Sequence, residues 1–206
     1  MTGEIRRSKA TAPFAWALLA GLAVPVLPTY LAVSLVRRFA VDYFDSVMAS
    51  VAAEGIAKTP ALLFGRRTYE DFYAVWPNRT DNPFTEVLNN AQKYVASTTL
   101  EEPLLWSNST LLKGDAAAAV ATLKEQPGKD LVVLGSGELV QSLMRRNLVD
   151  EYVLSIHPLV LGSGRRLFSD GSPFAALRLV DTKTTTTGVV IATYRPAEPA
   201  AEGDHP

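Results

Sequence analysis

Short apolar runs alternate with helix-like segments along most of the chain, from about residue 43 to residue 194. Runs such as ALLFG at 61–65 and LVVLG at 131–135 are uniformly apolar and end in glycine, which is typical of buried strands. The pattern predicts helices over 43–57, 68–75, 81–91, 116–126 and 138–146, and strands over 61–65, 93–97, 109–113, 131–135, 152–157 and 189–194. Such alternation predicts an α/β fold with a largely parallel sheet covered by helices on both faces.

Acidic residues precede two of these helices and are candidates for their N-caps. Asp42 is the predicted cap of the first helix, because a carboxylate can accept hydrogen bonds from the N–H groups of the first turn. Asp115 is expected to cap the alanine-rich helix in the same way, and Pro127 and Gly128 then end that helix.

The first 41 residues have a different character. The run from Pro13 to Val36 is uncharged and mainly apolar, long enough for a bilayer, and five basic residues lie on its two sides. However, Pro25 and Pro28 interrupt it, and each would remove a helix hydrogen bond. Three interpretations stay open: a membrane anchor or export signal, a buried helix or strand of the domain, or the product of a wrong start site or a shifted reading frame.

Composition narrows the chemistry. The 206 residues carry 20 Lys and Arg against 21 Asp and Glu, so no overall basic excess favours nucleic-acid binding. The chain has no cysteine, which excludes disulfides and thiolate metal sites. It has only two histidines, which disfavours a histidine-based triad, and no metal site is expected. We divide the chain into an apolar head over 1–38, one domain over 39–195 and a tail over 196–206, predicted to be disordered. A bound cofactor is the expected carrier of any chemistry.

Three turns follow predicted strands, where α/β proteins place their ligands. The first comprises Gly65, Arg66, Arg67 and Thr68: glycine permits close backbone approach, the helix N-terminus attracts anions, and either arginine could pair with a phosphate. The alternative is an ordinary strand-to-helix turn with solvated arginines.

The other two turns carry weaker signals on their own. Ser97 and Thr98 follow a strand, and their hydroxyls could bind a phosphate or only close a turn. The third turn is Gly135-Ser136-Gly137, followed by Glu138 and Leu139 at the start of a helix. Its spacing lacks the complete G-x-G-x-x-G pattern, so it is not a Rossmann fingerprint.

Seven sequence motifs, occurring in a fixed order, lie between about residue 39 and residue 195 and include the three turns. They are YFD at 43–45, ALLFGRRTYEDF at 61–72, WP at 76–77, KYVASTTL at 93–100, WSNSTLLKGD at 106–115, LKEQPGKDLVVLGSGELVQSL at 123–143 and LVDEYVLSIHPLVLGSGRRLF at 148–168. In these motifs the sequence resembles the dihydrofolate-reductase-like proteins, particularly the C-terminal reductase domains of riboflavin biosynthesis.

The resemblance implies a mixed, mostly parallel sheet with helices on both faces, and NADPH bound across the strand ends. It places the following residues at the cofactor: Gly65, Arg66, Arg67, Thr68, Ser97, Thr98, Gly135, Ser136, Gly137, Glu138 and Leu139. The implied reaction is hydride transfer to a pterin-, pyrimidine- or riboflavin-precursor-like heterocycle, in a cytoplasmic homodimer without a nucleic-acid partner. A membrane partner would involve only residues 13–36.

No catalytic residue is assigned from the sequence. In the acidic pair Asp150-Glu151 at least one carboxyl is expected to be structural, and His157 is interpreted as a core or edge histidine. Two departures from the resemblance bear on activity. Leu134-Gly135-Ser136 stands where the riboflavin-pathway reductases usually have Glu-Gly-Gly, and no strand followed by a Ser-Leu-Asp-Gly-like segment precedes Tyr43.

The missing first strand leads to further expectations. Either Leu18–Val26 or Tyr30–Val36 would have to supply it, or the sheet would lack a central member and be marginal. Two alternative functions follow: a nucleotide-binding but catalytically silent homologue, and a membrane-tethered reductase-like domain.

Overall fold

The computed structural model describes residues 2–5, 43, 45–57, 61–80, 84–128, 130–160, 166–168 and 174–197. Its strands are β1 Thr2–Ile5, β2 Ala61–Gly65, β3 Lys93–Ala96, β4 Ser109–Leu112, β5 Leu131–Leu134, β6 Glu151–Ile156, β7 Leu177–Thr184 and β8 Val190–Pro196. Its helices are α1 Ser46–Ala57, α2 Arg66–Tyr73, α3 Phe84–Asn90, α4 Ala116–Glu125 and α5 Gly137–Met144. The strands form one sheet in the order β4-β3-β2-β5-β1-β6-β8-β7.

The sheet has a parallel half and an antiparallel half. Strands β4, β3, β2 and β5 are mutually parallel, with Leu63 of β2 opposite Val133 of β5. Strand β1 pairs antiparallel with both β5 and β6, and β6, β8 and β7 continue as antiparallel neighbours. The predicted mixed α/β sheet is therefore confirmed.

Helices cover both faces of the sheet, as predicted, because residues of the buried strands alternate between two cores. Leu63 and Val133 pack with α4 and α5 on one face. Phe64 and Leu134 pack with Tyr69 of α2, and with α3, on the other face. Helix α1 covers the antiparallel half on that second side, where its Met48 and Val51 meet side chains of β6 and β8. Every strand of the parallel half except the edge strand β4 is thus largely buried.

The central position of the sheet is held by Thr2–Ile5, a strand that the sequence analysis did not predict. Gly3 lies opposite Val133 on one side and Tyr152 on the other. The expectation that the sheet either lacks this member or takes it from the apolar run is therefore wrong for this position, while Leu18–Val26 and Tyr30–Val36 lie outside the described residues. These four residues contain no apolar run and no periodic pattern, so the sequence by itself does not predict the strand.

Several boundaries also differ from the predictions. The cap of α1 is Asp45, whose Oδ1 accepts a hydrogen bond from the Met48 N–H at 3.0 Å, whereas Asp42 lies outside the described residues. The same Asp45 carboxylate accepts two bonds from Thr186 in the β7–β8 turn, both 2.7 Å long. Strand β7 was not predicted, because its residues are mostly exposed and polar, and β8 extends to Pro196 at the start of the predicted tail.

Asp115 caps α4 as predicted, accepting hydrogen bonds from the N–H groups of Ala117 and Ala118 at 3.1 Å each. Within the described ranges, no helix has the length and apolar character needed to cross a membrane.

Candidate functional site

The candidate site lies where the chain changes direction across the sheet. From β2 the chain moves outward to β3 and β4, and from the neighbouring strand β5 it moves the other way to β6. The helix after β2 packs on one face of the sheet and the helix after β5 packs on the other. A crevice at the carboxyl ends of two such strands is the usual ligand site of a parallel sheet.

The first predicted turn lies at this edge, at the end of β2. Gly65 is the N-cap residue of α2 and makes no side-chain cap, so the N–H groups of the first turn of α2 have no side-chain acceptor at this edge of the sheet. Arg66 forms an ion pair with Glu70, one helical turn along, at 3.2 Å. Arg67 is exposed and makes no hydrogen bond or ion pair with any described residue.

The third predicted turn follows β5 and opens α5. Gly135 has a φ of 61°, and Ser136 adopts the left-handed conformation with φ 50° and ψ 46°. The side chain of Ser136 does not cap α5, so the helix is likewise entered without a side-chain acceptor. Glu138 is exposed in the first turn, while the Leu139 side chain is buried in the core, where only its backbone can face a ligand.

The two turns are bonded directly to each other. The Gly65 N–H donates to Ser136 Oγ at 2.9 Å, and the Ser136 N–H donates to Thr68 Oγ1 at 3.3 Å. Ser136 Oγ in turn donates to the Leu134 carbonyl at 3.1 Å. Residues 68 and 71 positions apart in the sequence thus form one arrangement, which no local pattern could indicate.

The second predicted turn lies beside the first, because β3 neighbours β2 in the parallel half. Ser97 Oγ accepts hydrogen bonds from the N–H groups of Thr99 and Leu100, at 3.1 and 3.0 Å. This oxygen therefore closes its own turn, one of the two roles left open by the sequence. Thr98 is exposed at the same edge.

The candidate acid–base residues are engaged in structural contacts. The Asp150 carboxylate accepts a hydrogen bond from Lys124 Nζ at 2.7 Å. The buried Glu151 carboxylate accepts one from Arg195 Nε, also at 2.7 Å. Both carboxyls therefore hold ion pairs, which extends the structural role expected for at least one of them. The Leu134 side chain is buried and contributes no acceptor to the crevice.

His157 follows β6, and its ring meets that of Tyr43 edge-on at 5.9 Å. Partial burial lowers the pKa of His157, which favours the neutral imidazole. Burial also raises the pKa of Tyr152 in the core. Among the described residues neither side chain belongs to a nucleophile–base pair, so neither residue is assigned to catalysis.

Lys93 is a polar residue of the core that the sequence analysis did not single out. It is fully buried at the start of β3, and its Nζ donates to the carbonyls of Asn89, Ala91 and Ser107 at 2.8 to 3.1 Å. The ammonium also lies 4.5 Å from the centre of the Trp106 ring. Burial lowers the pKa of Lys93 to about 8. The feature of the sequence that could have indicated this buried lysine is its position, directly after a predicted helix and at the first residue of a predicted strand.

The donor set at the crevice fits a polyphosphate. Two helix first turns without side-chain caps meet there, and the Arg67 guanidinium, which has no partner among the described residues, adds positive charge. The described residues contain no group of three or more side chains suited to holding a metal ion.

Comparison with known proteins identifies the fold and the family. Residues 47–191 match the model of the RibD C-terminal domain. Two uncharacterized proteins of Bacillus subtilis are related: YyaP is 33% identical over 138 residues, which is 65% of this chain and 72% of YyaP. YwjB is 36% identical over 74 residues, 36% of this chain and 42% of YwjB.

Two crystal structures share the fold. A proposed riboflavin biosynthesis protein from Shewanella sp. PV-4 superposes with a TM-score of 0.56 at 20% identity, over 75% of this chain and 81% of its own. A pyrimidine reductase-like protein from Corynebacterium diphtheriae superposes with a TM-score of 0.53 at 11% identity, over 78% and 85%. Because the family model spans most of the chain and the described fold agrees with it, this chain belongs to the RibD C-terminal domain family.

Proposed function

We propose that this chain is a reductase that binds NADPH at the carboxyl ends of β2, β3 and β5. The observation that supports this most strongly is the crevice between two uncapped helix first turns, one on each face of the sheet, with Arg67 beside it. Arg66, Arg67 and Thr68, which follow Gly65, would hold one phosphate group. Backbone N–H groups of the turn from Gly135 to Leu139, other than that of Ser136, would hold the pyrophosphate, because the Ser136 N–H already donates to Thr68. Ser97 and Thr98 would lie near the adenosine phosphate.

Arg67 is a local conflict that a ligand would resolve. Positive side chains in the first turn of a helix oppose the helix dipole and destabilise it slightly. Arg66 offsets this through its ion pair with Glu70, whereas Arg67 has no such partner among the described residues. A phosphate bound in the crevice would satisfy the guanidinium and the helix N-terminus together.

Bound NADPH would supply a hydride, so the protein's part is to orient the ring of the substrate and exclude water. The substrate class we propose is a pterin-, pyrimidine- or riboflavin-precursor-like heterocycle. Since the Asp150 and Glu151 carboxyls hold ion pairs, the proton that completes the reduction would come from a hydroxyl or water.

NADPH affinity tests this proposal, with Arg66 and Arg67 as a matched pair in the same helical turn. Arg67→Ala should weaken NADPH binding by roughly tenfold or more while leaving the free energy of unfolding unchanged or slightly higher. Arg66→Ala should have a smaller effect, because Glu70 already neutralises that side chain. Fluorescence titration and urea unfolding measure both quantities, and no binding by the parent chain at millimolar NADPH would remove the reductase proposal.

A catalytically silent homologue is the second candidate function, favoured by Leu134 in the position where related reductases usually carry an acid. It predicts NADPH binding without oxidation of the cofactor across a panel of pterins and pyrimidines. The Leu134 side chain is buried, so a Leu134→Glu variant would place a carboxylate in the core and would not be a fair test of rescue. Turnover of any panel compound by the parent chain decides in favour of the reductase.

The homodimer also remains a proposal. Five exposed large apolar side chains belong to the antiparallel half or to segments beside it, namely Ile156, Val160, Phe168, Phe174 and Leu179. Exposed apolar surface of this kind is where a second copy would pack. Light scattering of the purified chain measures the oligomeric state directly.

A further inference from the structure

Ser136 adopts a backbone conformation that serine rarely takes. Its φ of 50° and ψ of 46° are left-handed, which is strained for any residue with a Cβ. Glycine would adopt these angles without strain, and glycine occupies the positions on both sides. The serine side chain must therefore contribute something that glycine lacks.

That contribution is a bridge between the two strands that flank the crevice. The registered pairs of β2 and β5 end at Leu63 opposite Val133. Beyond that pair, Ser136 Oγ accepts from the Gly65 N–H at 2.9 Å and donates to the Leu134 carbonyl at 3.1 Å. The hydroxyl thus continues the connection between β2 and β5 past the end of their ladder.

A second bridge lies beside the first. The Ser136 N–H donates to Thr68 Oγ1 at 3.3 Å, which ties the start of α5 to the first turn of α2. The two turns lie close together at this point: a Cβ added at Gly135 would be 3.4 Å from Thr68 Cγ2. Helices α2 and α5 pack on opposite faces of the sheet, so these bonds fix one first turn relative to the other.

We infer that Ser136 is a positioning residue, which joins the two helix-opening turns so that both can contact one diphosphate-bearing ligand at the same time. This inference rests on the proposed binding of NADPH. Because Ser136 Oγ already accepts from the Gly65 N–H, the phosphate contacts at the first turn fall to the residues after Gly65. Ser136 itself needs no contact with the ligand.

Two substitutions separate positioning from stability. Ser136→Ala removes the hydroxyl and keeps the left-handed strain, whereas Ser136→Gly removes both. Thermal unfolding of Ser136→Gly should occur at or above the temperature of the parent chain. NADPH affinity should nevertheless fall roughly tenfold or more in both variants, since the two turns are no longer held together.

Two further variants sharpen the measurement. Thr122→Ala is the matched control, because this variant also loses a hydroxyl hydrogen bond. The Thr122 hydroxyl donates to the Ala118 carbonyl at 3.3 Å on the exposed surface of α4. It should bind NADPH as the parent does. Thr68→Val breaks the second bridge, and combined with Ser136→Gly it should lower NADPH affinity by less than the product of the two single effects.

The outcomes are distinct. NADPH binding by Ser136→Gly equal to that of the parent, or fully independent effects of the two bridges, overturns the positioning role and leaves the proposed function intact. Absence of NADPH binding by the parent chain overturns the proposed function, and the positioning role with it. Weakened binding by a Ser136→Gly variant that unfolds no earlier than the parent supports the role, because a purely structural serine would not separate the two quantities.

Discussion

Single residues in this protein illustrate how a polar group is tolerated in a core. Lys93 Nζ has three donors when it is charged, and it meets three carbonyl oxygens, two of them at the C-terminal end of α3. Positive charge at that end of a helix is favourable, and the Trp106 ring adds a cation–π contact. The buried lysine thus satisfies carbonyls that α3 leaves unpaired where it ends.

Lys93 leads to a pH-dependent prediction. Burial lowers its pKa from 10.5 to about 8, so between these values the unfolded chain carries a proton that the folded chain does not. Stability rises with pH wherever the unfolded state binds more protons. The contribution of Lys93 to the free energy of unfolding should therefore increase as the pH rises from about 8 to about 10, by at most about 3 kcal/mol.

Urea unfolding at pH 7 to 10 measures this contribution as the difference between the parent and Lys93→Met. The variant should be less stable at pH 7 by about 1–3 kcal/mol, because buried carbonyls lose their donor. The free energy of unfolding of Lys93→Met should also lack the increase that the parent shows between about pH 8 and about pH 10. Lys183→Met, which removes a partly exposed lysine paired with Glu54, is the control and should keep the parent's pH dependence. Identical pH profiles for the parent and Lys93→Met would show that Lys93 does not titrate in this range.

Among the elements, those with a strong internal signal could be predicted from the sequence. The uniformly apolar β2 and β5 and the alanine-rich α4 with its Asp115 cap are found within one or two residues of their predicted bounds. Burial on both faces makes such strands apolar throughout, and a capped helix carries its boundary in its own sequence.

Elements defined by their partners could not be predicted. Strand β1 is specified by pairing with β5 and β6, and β7 is an exposed edge strand whose residues need not be apolar. The candidate site divides in the same way. Its glycines and arginines were recognisable, whereas the bond between Ser136 and Gly65 depends on a fold that brings residues 71 positions apart together.

The central position of β1 gives an element-scale prediction. Gly3 is paired on both sides, and proline there would remove an N–H from the middle of the sheet. Gly3→Pro should lower the free energy of unfolding by about 1–3 kcal/mol or more, since a buried carbonyl would lose its donor.

Thr2→Pro is the matched control for this change, because proline is tolerated at the first residue of a strand. It should lower the free energy of unfolding less than Gly3→Pro does. Urea midpoints of the two variants compare them directly. If Gly3→Pro unfolds at the same urea concentration as the parent, residues 2–5 do not hold the centre of the sheet in solution.

At the scale of the whole molecule, the crevice lies between two cores. Helix α2 belongs to the core on one face and α5 to the core on the other, and their first turns meet at the carboxyl edge of β2 and β5. A ligand held by both turns would stabilise both halves of the packing, whereas a ligand on a single helix would stabilise one.

Amide hydrogen exchange with and without NADPH distinguishes these two cases. Saturating NADPH should slow exchange in the first turns of α2 and α5 together, and at 100 times its Kd it should add about 2.7 kcal/mol to the free energy of unfolding. The first turn of α4 serves as an internal reference, because Asp115 already accepts its N–H groups, and its exchange should change only with global stability. Protection confined to the first turn of α2 would place the cofactor on one face of the sheet and contradict a site in the crevice, since a phosphate bound there has to meet the N–H groups of both helices.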